Sequence, residues 1–172
     1  MKSETSYQQL DPLDWHDGNL KMHRLMSAPT DDNPTSAYLN PFRARYLQTC
    51  DLFAIGTTDE HGRPWTGLWG GENGAVSVYD LKTLAVKSLV DKKRDPIVTR
   101  LLQINPDKGV CGSGQKISGL GIKLATRDRV KLSGKVMGAL LEAAGSDDIA
   151  TASVVIGVET SLGMISLPIS RS

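Results

Sequence analysis

The sequence predicts a mainly β protein whose short antiparallel strands form a closed or nearly closed barrel. Six or more short stretches alternate apolar and polar residues, as half-buried strands do. Seventeen glycines among 172 residues favour turns and bulges over long helices. We expect a barrel because closure of a sheet removes its exposed strand edges.

The chain length and the polar N-terminal region predict one domain preceded by an arm. A domain commonly has about 100 to 200 residues, so a chain of 172 residues suits one. Residues 1–40 are polar, contain three prolines and have few regularly spaced apolar residues. We therefore expect an extended N-terminal arm over 1–40 and the barrel domain over 41–172.

Charge and cysteine content argue against several classes of protein. The formal net charge of +1 is too small for a general nucleic-acid binder. Two cysteines are too few for a disulfide framework. The sequence also has no run of about 18 apolar residues, which a membrane-spanning helix would require. The three histidines lack metal-ligand spacing. We expect a cytoplasmic protein with no metal and with neither nucleic acid nor membrane as a partner.

Two short helices are expected between the strands. Asn40 and Pro41 match a capping residue followed by a first-turn proline, which predicts a helix over 41–50. Asp95 and Pro96 repeat this signal and precede an apolar stripe, which predicts a second helix over 96–103. The alternating segments that we assign to strands are 52–56, 65–69, 74–79, 84–90, 120–124, 130–140 and the stretch around 154–158.

The hairpin over 52–69 is the most informative local pattern. Its turn, 59–62, has the Asp and Gly residues that chain reversals require. After the turn, Trp65, Gly67 and Trp69 share one face of the strand, and Thr66 and Leu68 share the other. The glycine leaves a gap between two large rings in which a flat ligand could lie. The same pattern equally fits barrel core or a dimer contact.

A second pattern places several cations on one strand. Arg129, Lys131 and Lys135 are separated by even numbers of residues, so they line one sheet face. Such a face could hold a phosphate through charge-assisted hydrogen bonds. The alternative, which the pattern alone favours, is the solvated side of a half-buried hairpin.

Four segments carry a resemblance to a known family. They are Asn33 to Ser36, Gly62 to Glu72, Ser118 to Ile122 and Thr126 to Gly134, in this order over roughly residues 15–160. Together they resemble the pyridoxamine 5'-phosphate oxidase-like family of FMN-binding split barrels.

The resemblance implies a six-stranded antiparallel split β-barrel with short connecting helices, forming a homodimer with FMN in clefts at the subunit interface. In this family the flavin is bound by backbone amides, a Ser or Thr hydroxyl and basic side chains, and Arg129 and Lys131 would contact its phosphate. Carried over by position, the cofactor-binding residues are Arg63, Trp65, Thr66, Gly67, Leu68, Trp69, Lys87, Ser88, Arg129 and Lys131.

The function implied is an FMN-dependent oxidoreductase that acts on a small organic substrate. No catalytic acid or base stands out in the sequence. Two alternatives stay open: a non-catalytic protein that binds flavin or another planar ligand, and a redox-neutral enzyme of the isomerase type that reuses the same cleft. A resemblance in fold does not separate them, because function depends on the site.

Overall fold

An antiparallel sheet forms most of this protein. The computed structural model describes residues 12–29, 31–59, 61–71, 75–98, 110–111 and 114–164. Its helices are α1 (Asp17–Met26) and α2 (Pro41–Leu47). Its strands are β1 (Leu52–Thr58), β2 (Pro64–Gly70), β3 (Val76–Asp80), β4 (Thr83–Asp91), β5 (Val110–Cys111), β6 (Lys116–Ile122), β7 (Arg129–Ala144) and β8 (Ser146–Met164).

Seven strands form one continuous path in the order β2-β1-β6-β7-β8-β4-β3, and β5 pairs with β7. All of these pairs are antiparallel. Within the described ranges no ladder joins the two ends of the path, so the sheet is not closed. The end strand β2 does approach β4, the neighbour of the other end strand, because the Ser88 hydroxyl of β4 donates to the carbonyl oxygen of Gly70 in β2 at 2.8 Å.

The mainly β, antiparallel class is therefore confirmed, but the count of six strands that the resemblance implied is too low. The sheet has additional strands, and β7 and β8 are long, with 16 and 19 residues. They form a single hairpin that pairs from Arg129 opposite Met164 to Ala144 opposite Ser146. This long hairpin connects the β2-β1-β6 half of the sheet to the β4-β3 half.

The core lies on the inward face of the sheet and beneath α2. Phe53 and Ile55 of β1, Val86 of β4 and Ile156 of β8 are nearly inaccessible to solvent. Burial of such a side chain contributes about 1.5 to 3 kcal/mol. The buried face of the helix α2, which includes Leu47, packs against this core.

The predicted start of α2 is confirmed. The side-chain oxygen of Asn40 accepts a hydrogen bond from the backbone N–H of Arg43 at 2.8 Å, and Pro41 follows as the first helical residue. Asp95 caps the next predicted helix in the same way, because its Oδ1 accepts from the backbone N–H groups of Ile97 and Val98. The rest of that predicted helix, 99–103, lies outside the described residues.

A buried arginine attaches the N-terminal region to the sheet. Arg43 of α2 donates to the hydroxyl of Ser36 at 3.1 Å, to the carbonyl oxygen of Ser161 at 3.0 Å and to that of Pro34 at 3.0 Å. Ser36 and Ser161 also exchange two backbone hydrogen bonds. Burial lowers the pKa of Arg43, but an arginine keeps its charge in proteins. The guanidinium thus joins residues 34–36, α2 and β8 in one network.

The helix α1 was missed by the prediction of an extended arm. None of its residues is buried, and its apolar residues Leu20, Met22, Leu25 and Met26 are exposed. Both ends of the helix are nevertheless capped. At the N-terminus, His16 Nδ1 accepts a hydrogen bond from the Gly18 N–H at 3.0 Å. At the C-terminus, Ser27 adopts the left-handed conformation that ends the helix. No helix in the described ranges is long and apolar enough to cross a membrane. The division of the chain at residue 40 stays a prediction.

The stability of this fold should fall with pH above about pH 9 because of Cys50. This thiol is 2% exposed in the core, and burial raises its pKa from 9.0 to about 11. In the unfolded chain the thiol loses its proton near its ordinary pKa, whereas in the folded protein it keeps the proton. The stabilisation is thus complete below pH 9 and is lost as the pH rises toward 11.

Between pH 8 and pH 10 we expect a loss of about 1 kcal/mol in the free energy of unfolding, measured by urea denaturation. Cys50→Ala is the matched control, since it removes this titration and should reduce the slope of the pH profile whatever its absolute stability. An equal slope in both proteins would contradict this assignment.

Candidate functional site

The outward-facing residues of β2, β1, β6, β7 and β8 form one continuous surface, which we call the outer face. The strand registers align these residues in rows that cross the strands. One row consists of hydroxyl groups and a glycine, a neighbouring row is mainly apolar, and cations lie on both sides. This combination makes the outer face the candidate site.

The hydroxyl row crosses all five strands and contains Thr66, Gly56, Ser118, Ser133 and Thr160. Ser133 and Thr160 share a hydrogen bond of 2.6 Å, and Ser118 donates to the Gly56 carbonyl oxygen at 3.1 Å. A Cβ at Gly56 would lie 2.7 Å from the Ser118 hydroxyl, so only glycine leaves this arrangement undisturbed. The first four residues of the row line a groove of about 480 Å³, within the usual size range of small-molecule sites.

The apolar row lies two residues away from the hydroxyl row along each strand. Leu68 of β2, Ala54 of β1 and Leu120 of β6 are in register, and Leu52 and Ile122 lie beside them. Leu68 is 62% exposed, whereas Ala54 and Leu120 are half-buried. The apolar residues Leu120 and Ile122 of β6 therefore point outward, and the inward positions beside them are the glycines 119 and 121.

The three cations predicted to share a sheet face do so. Arg129, Lys131 and Lys135 are exposed on β7, and the alternate residues Val130, Leu132 and Gly134 are buried. Lys131 is in register with Leu120 of the apolar row, while Lys135 lies directly opposite Lys116 of β6. Lys116 also lines the groove, and the sequence analysis missed it. Lys116 can be placed opposite Lys135 only when the pairing of β6 with β7 is known.

A β-bulge aims one carboxylate at the same groove. Ser133 pairs with Thr160 and Gly134 with Val158, so Glu159 is the extra residue of β8. Its carboxylate meets Lys135 Nζ at 3.0 Å. Gly134 makes the bulge possible, since a Cβ there would overlap the carbonyl oxygen of Gly157 across the hairpin.

The inward face of β2 holds no ligand space between its tryptophans. Trp69 is 2% exposed, and its Nε1 donates to the carboxylate of Asp95 at 2.9 Å. A Cβ at Gly67 would lie 2.7 Å from Cγ1 of Ile97, so Ile97 fills the gap that the sequence suggested. Of the two interpretations left open, the structure favours the core for Gly67 and Trp69.

Arg63 and Trp65 are held by the turn between β1 and β2. Asp59 accepts hydrogen bonds from Arg63 Nε at 2.7 Å and from Trp65 Nε1 at 3.0 Å, and also from the N–H groups of His61 and Arg63. Removal from water opposes ionisation of Asp59, but the hydrogen bonds from Trp65 and Arg63 outweigh it and hold its pKa well below the usual value. The predicted turn at 59–62 is thus confirmed, with Gly62 at φ 76°.

Lys87 and Ser88 lie elsewhere, where β4 approaches the end of β2. They line a smaller pocket of about 270 Å³ with Gly70 and Gly71. The Ser88 hydroxyl is committed to the Gly70 carbonyl oxygen, while Lys87 is exposed. The predicted cofactor residues therefore divide into an outer-face group (Thr66, Leu68, Arg129 and Lys131), a core group (Gly67 and Trp69), a turn group (Arg63 and Trp65, of which Trp65 also lines the outer groove) and a pocket group (Lys87 and Ser88).

The histidines lie away from the outer groove. His16 caps α1, His23 packs edge-on against the Trp15 ring with centroids 4.8 Å apart, and His61 is exposed in the β1–β2 turn. In the part of the chain that the structure describes, no group of three or more His, Cys, Asp or Glu residues could hold a metal ion.

Comparison with known proteins finds similarity among solved structures alone. No family model and no curated protein matches the chain. A Lactobacillus delbrueckii protein, assigned provisionally as a pyridoxamine 5'-phosphate oxidase, is 15% identical, with coverage of 74% of this chain and 95% of that one and a TM-score of 0.45. An F420 reductase is 11% identical (68% and 93% coverage, TM-score 0.44). The heme storage protein HutZ of Vibrio cholerae is 15% identical (70% and 94% coverage, TM-score 0.36).

Gly134→Ala should destabilise the protein severely, because the new methyl group would collide with the backbone of Gly157. We expect a loss of about 3 kcal/mol in the free energy of unfolding, measured by urea denaturation. Gly138→Ala on the same strand is the matched control, since a Cβ there meets nothing within 4 Å. Equal stability of the two variants would show that the close approach of β7 and β8 is not required.

Proposed function

We propose that this protein binds FMN on the outer face and acts as an FMN-dependent oxidoreductase on a small organic substrate. The observation that carries the proposal is the combination of the apolar row, the hydroxyl row and the cations of β7 on one surface. FMN has an apolar ring system with polar edges, a hydroxylated chain and a phosphate. Each part has a chemical counterpart on the outer face.

The residues present fit FMN in chemistry and in reach. Leu68, Ala54 and Leu120 would contact the ring, and the hydroxyl row would offer hydrogen bonds to its polar edge and to the ribityl chain. Arg129 and Lys131 would hold the phosphate. From β2 to β7 there are three strand spacings, about 14 Å, which suits an elongated ligand. Bound FMN would supply the redox chemistry, and these residues would bind and orient it.

The proposal includes a homodimer formed through the outer face. The apolar row and its neighbours Leu52 and Ile122 face outward, where their burial in the isolated chain is incomplete. Contiguous apolar surface of this kind is typical of interaction sites. A second copy packed on it would cover part of the groove and exclude water from the ligand.

One observation favours a second candidate, a protein that binds flavin or another planar ligand without turnover. Among the described residues that line the groove, Glu159 is the one carboxylate, and it is already paired with Lys135. The lining residues include no histidine. Among these residues, no carboxylate or imidazole is therefore free to act as the acid or base that an enzyme of the isomerase type would need.

Purified protein tests the flavin proposal directly. We expect a dimer that binds added FMN with a perturbed flavin absorbance spectrum. Anaerobic addition of NADH or NADPH should then bleach the flavin if the protein is an oxidoreductase. If the protein binds FMN but neither donor bleaches the flavin, the result would support the non-catalytic candidate. A failure to bind FMN would refute both the oxidoreductase and the non-catalytic flavin-binding hypothesis.

Two pairs of variants locate the cofactor. Leu68→Ser should weaken FMN binding about tenfold through loss of apolar contact, as measured by flavin fluorescence titration. Leu124→Ser is its control, since Leu124 is equally exposed, at 63% against 62%, but lies in the turn after β6. Lys131→Gln should also weaken binding, because one of the two phosphate-binding cations is lost.

Lys87→Gln is the counterpart of Lys131→Gln, since Lys87 belongs to the pocket between β2 and β4. Weaker binding in Lys87→Gln together with unchanged binding in Lys131→Gln would move the phosphate from the outer face to that pocket.

A further inference from the structure

Two lysines lie directly opposite each other at the end of the groove. Lys116 on β6 pairs in register with Lys135 on β7, and both are exposed on the outer face. Like charges at directly opposite positions of an antiparallel pair repel each other. Such an arrangement is unfavourable unless an anion lies between or beside the two ammonium groups.

Among the residues that the structure describes, one carboxylate forms an ion pair with these lysines. Glu159 meets Lys135 Nζ at 3.0 Å, and both side chains are about half exposed. Lys116 has no ion pair with any residue that the structure describes. Ion pairs at such exposure are weak, so a stronger anion in the groove could displace Glu159 from Lys135.

The lysine pair is separate from the cations assigned to the flavin phosphate. Lys131 and Lys135 are four residues apart on β7, about 13 Å along the strand, with Ser133 of the hydroxyl row between them. A single phosphate group cannot contact both. The outer face therefore has two cationic sites, one on each side of the hydroxyl row.

We propose that Lys116 and Lys135 form a second anion site, which takes the phosphate or carboxylate group of an anionic organic substrate. Glu159 is its displaceable counter-ion, aimed at the site by the bulge in β8. The assignment of this anion to a substrate rests on the proposed flavin function, whereas the binding of an anion by the lysine pair does not. The proposal narrows the substrate from a small organic molecule to an anionic one.

Titration of the flavin-free full chain with inorganic phosphate tests the site. Amide shifts of Ser118 and Gly134, followed by ¹H–¹⁵N NMR, report on both strands of the groove. We expect Lys116→Gln to bind phosphate at least fivefold more weakly than the unaltered protein, and Glu159→Gln to bind it at least threefold more tightly. Lys82→Gln, which removes an exposed lysine between β3 and β4, is the control and should leave the affinity unchanged.

Several results would overturn the proposal. They are an absence of shifts at Ser118 and Gly134, unchanged affinity in Lys116→Gln, and weaker binding in Glu159→Gln. A parallel titration with acetate should shift the same amides, since a carboxylate shares the oxyanion chemistry, and shifts confined to other amides would count against the site.

A repeat with saturating FMN separates this proposal from the previous one. Unchanged phosphate affinity shows two distinct sites, whereas competition between FMN and phosphate at Ser118 and Gly134 would assign the lysine pair to the cofactor and overturn the substrate site. If the protein does not bind FMN, the flavin function fails, but the Lys116 and Glu159 variants still decide whether the anion site exists.

Discussion

The close approach of Gly134 and Gly157 is the constraint on which the outer face depends. At this point the two longest strands pass each other with no side chain between their backbones. The glycine allows β8 to accommodate an extra residue, so that Glu159 and Thr160 both reach the outer side. Beyond the bulge, the pairing of β7 with β8 resumes. The positions of the hydroxyl row, of the lysine pair and of the Glu159 carboxylate all depend on this contact between Gly134 and Gly157.

Small residues on the inward side serve the same purpose across the neighbouring strands. Gly119 and Gly121 of β6 admit Phe53 and Leu47, because a Cβ at either glycine would lie 2.5 Å from one of these side chains. Beside these glycines the core thus fills from β1 and α2, and β6 presents Leu120 and Ile122 outward. The apolar row is a consequence of how the core is packed. It remains available to a ligand or a second copy of the chain.

The sequence predicted local features better than long-range ones. The cap at Asn40, the turn at 59–62 and the shared face of Arg129, Lys131 and Lys135 depend on neighbouring residues, and each is found. In contrast, the filling of the Gly67 gap by Ile97 depends on a distant segment that folds over β2. Residue spacing within β2 contains no information about such a contact.

The same contrast between local and long-range features applies to the candidate site. Thr66 and Leu68 were predicted as one face of β2, but their alignment with Ser118 and Leu120 requires the registers of two further ladders. Lys116 could be recognised only when β6 was paired with β7. Glu159 could not be identified either, because the bulge that turns it outward arises from contact between two strands and has no signature in β8 alone.

The most direct measurement is the set of nuclear Overhauser effects between bound FMN and methyl groups of the labelled protein. A flavin site on the outer face predicts contacts from the flavin ring protons to the methyl groups of Leu68, Ala54 and Leu120. Contacts to Ile97, or to Ala75 beside Lys87, in place of these would contradict a flavin site on the outer face.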